Sequence, residues 1–179
     1  MHRIEIFGNI AHNNILRVER VLKMLSSDNQ DALEFITSAA EANLTSFEKL
    51  VLEEQFGPLL SGTLMNFVEI GMCGNLLFKG GTPNVNGLAN EMTDLYARKN
   101  RDYGNSFDKS MDKFGMVVSV IRIGDKVNRL QSLVKKKGEA EVKDESIADT
   151  FMDLACYAIM TQMWLVCEGK SEEQEEEYE

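Results

Sequence analysis

From Leu59 to Lys79 the chain carries apolar side chains around most of a helical circumference, broken by Asn66, Glu69, Asn75 and three glycines. A helix of that kind has no face suited to water, so the rest of the chain must supply elements that surround it. The polar and glycine interruptions argue against a membrane span. We place this segment at the centre of a helical bundle or at a contact between subunits, and expect a homo-oligomer with this helix as its contact.

The flanking sequence supplies such elements. After a short extended start at Ile4 and Ile6, Ile15, Val18, Leu22 and Leu25 recur at helical spacing, and Ser26 to Asn29 breaks the pattern. A second helix carries Leu33, Phe35, Ile36 and Ala40, and ends near Asn43. Thr45 and Glu48 then stand at capping-box spacing for a third short helix toward Phe56. Gly57 and Pro58 stop it and start the central helix. Gly80, Gly81, Thr82, Pro83 and Asn84 form the strongest break in the sequence. Beyond it we expect helices over about Leu88–Lys99, from Ser106 to Phe114, over Val117–Lys135 and, with Asp144 as N-cap, from there to about Cys167. No repeat and no convincing hairpin pair interrupts this series. The predicted class is therefore all-α, a compact multi-helix bundle. Residues 1–80 form an N-terminal helical segment of the same fold, 81–168 a second helical part, and 169–179 an acidic disordered tail.

Charge and cysteine usage exclude several functions. The formal net charge is −10 over 179 residues, but six glutamates after Lys170 supply more than half of it, so the body is only mildly acidic. No broad nucleic-acid surface is expected from such a balance. Cys73, Cys156 and Cys167 sit among apolar residues without Cys-x-x-Cys spacing, as buried reduced thiols do. With the lack of a signal-like N-terminus, this points to the cytoplasm. His2 and His12 offer poor material for a zinc site or a Cys-His dyad.

Chemistry concentrates elsewhere. The stretch Lys-Asn-Arg-Asp-Tyr-Gly-Asn-Ser-Phe at 99–107 packs two cations, a carboxylate, a phenol and two amides around a glycine able to take φ > 0, and reads as a loop. Lys99, Asn100, Arg101, Asp102, Tyr103, Asn105 and Phe107 are its candidate ligand-binding residues. The rings suit stacking on a base, the reading we favour for aromatics beside a glycine in a polar stretch, or a core; the asparagines suit a base edge or a turn. On the next helix Val120, Ile123, Val127, Leu130 and Val134 form the apolar stripe. Arg122, Asp125, Lys126 and Arg129 share another side. Arg122, Lys126 and Arg129, with Lys99 and Arg101, would converge on a phosphate, or would pair with Asp102, Asp125, Glu145, Asp149 and Asp153 in a closed network. Those last three acids advance about 40° per step along one stripe, which continues as Cys156, Met160 and Met163. A wet cleft is expected where that stripe meets the core, with ligand or metal binding and structural ion pairing both open for the acids.

The three segments 99–107, Arg-Ile-Gly-Asp-Lys-Val-Asn-Arg-Leu at 122–130, and 144–160 resemble, in this order, the all-α nucleotide modification associated domain found largely in bacteriophages. The resemblance covers about Gly87 to Leu165. It implies nucleotide binding, nucleotide metabolism or viral interference with nucleotide signals, in host cytoplasm for a phage-encoded protein. A more distant similarity is to MazG-type helical pyrophosphatases, which hold magnesium with paired acids on adjacent helices. Here Glu145 and Asp149 are spaced i, i+4 rather than i, i+3, and the facing helix offers cations around Asp125 where a second acid pair would stand. Replacing acids by cations removes metal ligands and adds phosphate contacts. The leading expectation is capture of a small mono- or dinucleotide, including a cyclic signal, with no catalytic residue and no cofactor. The alternatives are a magnesium-dependent nucleotide pyrophosphatase with Glu145, Asp149 and Asp153 as metal ligands, and a helical interaction protein whose polar cluster only pins helices.

Overall fold

A computed structural model describes residues 2–25, 29–135 and 146–175. Among them the chain forms eight α-helices and no strand: α1 His2–Asn13, α2 Ile15–Met24, α3 Asn29–Leu52, α4 Pro58–Lys79, α5 Val85–Tyr103, α6 Ser106–Phe114, α7 Val117–Lys135 and α8 Ile147–Glu175. The all-α bundle expected from periodicity is what the chain adopts.

The central apolar segment is α4, started by Pro58 after Gly57 and closed by Gly80 with φ 69°. It lies against α8, and α3 and α7 complete the core by packing on α4 and α8 respectively and on each other. The two long helices run antiparallel, since Gly71 meets Phe151 and Ala155 while Gln162 Nε2 donates to the Ser61 carbonyl at 3.2 Å. Asn75, one of the polar interruptions, is fully buried, and its Nδ2 donates to the Ala148 carbonyl at 2.8 Å, seating the first turn of α8. Ile147–Cys167 is long and apolar enough to cross a membrane by composition, and more than half of it is buried inside the bundle.

Three expectations need correction. The start is helical, because Phe7 and Ala11, one turn apart, are both fully buried and Phe7 stacks on Tyr96 of α5 at 4.4 Å. The two helices expected between Leu33 and Phe56 are one. Leu44, Phe47 and Leu50 continue the buried stripe of Leu33, Ile36 and Ala40, and the Thr45 hydroxyl donates back to Glu41 at 3.3 Å instead of capping a new start. Finally, α8 runs on to Glu175, past the expected end near Cys167.

The start of α8 is set by Ser146. Its Oγ accepts from the Asp149 N–H at 3.1 Å, while the Asp149 carboxylate accepts from the Ser146 N–H at 3.0 Å and from its hydroxyl at 2.7 Å, a reciprocal capping box. Asp144, the expected N-cap, lies outside the described residues, as do Glu145, the Lys136–Gly138 run and the last four residues of the tail.

Candidate functional site

The stretch 99–107 is not a loop. Val85, Leu88, Ala89, Met92 and Tyr96 keep α5 buried on one side, and that stripe carries the helix through Lys99 to Tyr103 despite the polar composition. The reversal is confined to Gly104 and Asn105, both left-handed at φ 57° and 61°. Glycine meets that conformation without a Cβ clash, and asparagine is among the few other residues that tolerate it. Ser106 and Phe107 then open α6.

This tight turn lets α5 and α6 form two walls of a cleft of about 300 Å3 that α7 and α8 complete. From α5, Tyr96, Lys99, Asn100 and Tyr103 recur at i, i+3, i+4 and i+7, one face of a helix. From α8, Asp153, Cys156, Tyr157 and Met160 repeat the same spacing on the opposite wall. Phe107 of α6 tilts against Tyr157, ring centroids 5.7 Å apart, and Arg122 projects from α7. Tyr103 stands at the mouth, 69% exposed.

The floor is organised by one carboxylate. Asp153 Oδ1 accepts from Lys99 Nζ at 3.1 Å, and its Oδ2 faces Lys126 Nζ at 2.9 Å, so a single acid ties α5 and α7 to α8. Burial pulls the Lys99 ammonium down, but the charge and hydrogen bond of Asp153 outweigh it and the net shift is upward. Lys99 thus stays protonated. The Cys156 thiol is pushed up to about 12, by burial first and then by the Asp153 charge, which leaves it a neutral apolar wall at neutral pH. Arg122, exposed at the rim, has no carboxylate partner among the described residues.

The back of the site is braced by α1. Arg3 Nη2 bridges buried Asp108 of α6 at 2.6 Å, and the Phe7 ring holds Tyr96 from behind. Burial raises the Asp108 carboxyl above its ordinary range, with the Arg3 charge opposing.

Of the residues expected to bind ligand, Lys99, Asn100, Tyr103, Phe107 and Arg122 line the cleft, and Lys126 reaches it through Asp153. Arg101 and Asp102 are exposed and do not line it. Asn105 forms the turn, and Arg129 lies about two turns along α7 from Arg122. The acid stripe is divided. Asp149 is held in the capping box, Asp153 is held by two lysines, and Glu145 is outside the described residues. Among the described residues no group of three His, Cys, Asp or Glu side chains is placed to hold a metal ion. Tyr157, like Tyr96 on the opposite wall, is a lining residue that sequence reasoning missed. It follows Asp153 by one turn, so the acid stripe itself was the available signal.

An all-α bundle with an aromatic and cationic cleft on one flank is the class that fold and site define. Within it, residues 99–165, a little over a third of the chain, match the family described as Nucleotide modification associated domain 1. This bears out the resemblance read from the three motifs, with a start at Lys99 rather than Gly87. The matched segment takes in most of the cleft, from Lys99 on α5 through the facing wall of α8. No curated protein and no solved structure matches the chain.

Proposed function

We propose that the cleft captures a small nucleotide, with the base against Phe107, Tyr157 and Tyr103 and the phosphate on Arg122. The observation that carries this reading is the contrast among the cations: Lys99 and Lys126 are committed to Asp153, whereas the Arg122 guanidinium beside the same cleft has no carboxylate partner among the described residues. An arginine so placed offers two parallel N–H donors to phosphate oxygens, and each stacked base contributes about 1–3 kcal/mol. The family description of residues 99–165 agrees with a nucleotide ligand.

Holding suits the cleft better than turnover. Its thiol is protonated at neutral pH, and its carboxylate is occupied by two lysines, so neither is poised as nucleophile or base. Titration calorimetry and thermal melting with a nucleotide panel, followed by chromatography of the recovered ligand, test the proposal. A ligand at a hundred times its Kd stabilises by about 2.7 kcal/mol, which for a chain of this size raises Tm by roughly 5–11 °C. The ligand should be recovered intact. The absence of any shift across the panel overturns binding, and recovery of cleaved product at catalytic ratios overturns capture.

A further inference from the structure

Resting on that nucleotide reading, we infer that the ligand carries a single phosphate group, as a 5′-monophosphate or a 3′,5′-cyclic monophosphate, and is neither a triphosphate nor a dinucleotide. Space is the first ground. The cleft of about 300 Å3 lies at the lower end of the range for small-molecule sites, about 300–1,000 Å3, which suits one base, one sugar and one phosphate. A dinucleotide would place its second nucleoside outside the walls.

Charge is the second ground, and it is independent of size. Among the described residues, the ionised side chains lining the cleft are Lys99, Arg122 and Asp153. Lys99 is held by the Asp153 carboxylate, which it shares with Lys126 of α7 and whose side chain is only 18% exposed. Among the described residues, Arg122 is the lining cation that has no carboxylate partner, and its fork matches two oxygens of one phosphate group. The further phosphates of a triphosphate would find, among the described residues of the lining, no second cation without a carboxylate partner. They could recruit Lys99 only by drawing it from Asp153, which would keep Lys126 but lose one of its two partners while facing added anions, which is costly for a mostly buried carboxylate. Arg122 and Tyr103 are exposed and the Phe107–Tyr157 pair is half-buried, so the phosphate sits at the mouth and the base extends inward from Tyr103 to that pair.

The test is calorimetry on the full chain. For each common base the 5′-monophosphate, the 3′,5′-cyclic monophosphate, the 5′-triphosphate and the unphosphorylated nucleoside are titrated, with a cyclic dinucleotide, in the presence and absence of magnesium. At least one single-phosphate ligand should bind ten-fold or more tightly than its triphosphate, and the dinucleotide should give no saturable heat. Whichever of the two monophosphate arms binds identifies the ester. Arg122→Ala should bring the preferred monophosphate down to the affinity of its nucleoside. A triphosphate or dinucleotide that binds as well as the best monophosphate overturns the single-phosphate inference while leaving the nucleotide reading intact. Failure of every nucleotide to bind overturns both.

Discussion

The two sides of α8 solve opposite problems with the same helix. Toward α4 it presents Phe151 and Ala155, both fully buried, against glycines that leave no room for a methyl group. A Cβ at Gly74 would fall 2.3 Å from the Phe151 ring, and one at Gly71 would fall 2.5 Å from the Phe151 carbonyl oxygen. Toward α5 the helix presents Asp153, Cys156, Tyr157 and Met160, and the neighbouring helices stand back far enough to leave a cleft. A seam closed to this degree fixes where α8 lies. The open side can then spend its polar groups on something other than holding the bundle together.

The closed side should therefore be the more sensitive to a single methyl. In Gly71→Ala the added Cβ meets backbone atoms of α8, the Phe151 oxygen at 2.5 Å and the Ala155 nitrogen at 2.9 Å, and neither moves without shifting the helix. The expected loss is about 1–3 kcal/mol, a fall in Tm of roughly 2–12 °C by thermal denaturation. Gly62→Ala is the control on the same helix. Nothing lies within 4 Å of its added Cβ, so the higher helix propensity of alanine should stabilise by about 0.4–1 kcal/mol. Equal effects from the two substitutions would break the distinction between a closed and an open side.

The closed side was also the more legible in the sequence. An apolar circumference over Leu59–Lys79 has few solutions other than burial, and α4 is buried accordingly. Boundaries were harder. Thr45 and Glu48 have capping-box spacing, but the choice between capping and continuation rested on Phe47 and Leu50 finding α4 and α7, a tertiary fact. The stretch 99–107 looked like a loop because its composition is that of loops, and the burial of Met92 and Tyr96 that extends α5 through it depends on α1. The cationic and amide half of the cleft stood out because such residues are rare beside a core. Tyr157 did not, since inside an apolar run a tyrosine reads as packing until the opposite wall is known. The pairing of Asp153 with Lys99 joins residues 54 positions apart, a distance over which local spacing carries no information.

A smaller effect is expected where α8 begins, at the junction of its two sides. The Ser146 hydroxyl and backbone hydrogen bonds hold the Asp149 carboxyl below its ordinary range. A carboxyl depressed in the folded state binds fewer protons there than in the unfolded chain. Its stabilising contribution is thus present above the unfolded value of about 3.9 and is lost as pH falls through the folded value. Ser146→Ala should cost about 1 kcal/mol at neutral pH, the usual worth of such a cap. Asp149→Asn should flatten the decline in Tm below about pH 4 relative to the unmodified chain. An unchanged acid limb would remove Asp149 from the account of how α8 starts.

The smallest stability effect should come from the open side, at Arg122. Its side chain is exposed in the interior of α7 and has no ion pair among the described residues, so truncation removes no buried contact. Alanine is the best helix former, which offsets whatever packing the arginine stem supplies. Arg122→Ala should therefore shift stability by no more than about 0.5 kcal/mol in denaturant unfolding, while abolishing the rise in Tm produced by nucleotide. A loss of more than about 1 kcal/mol would instead mean that this arginine pins helices, as the interaction-protein reading requires. The two outcomes separate because a group that contributes to ligand binding without contributing to folding has its partner outside the chain.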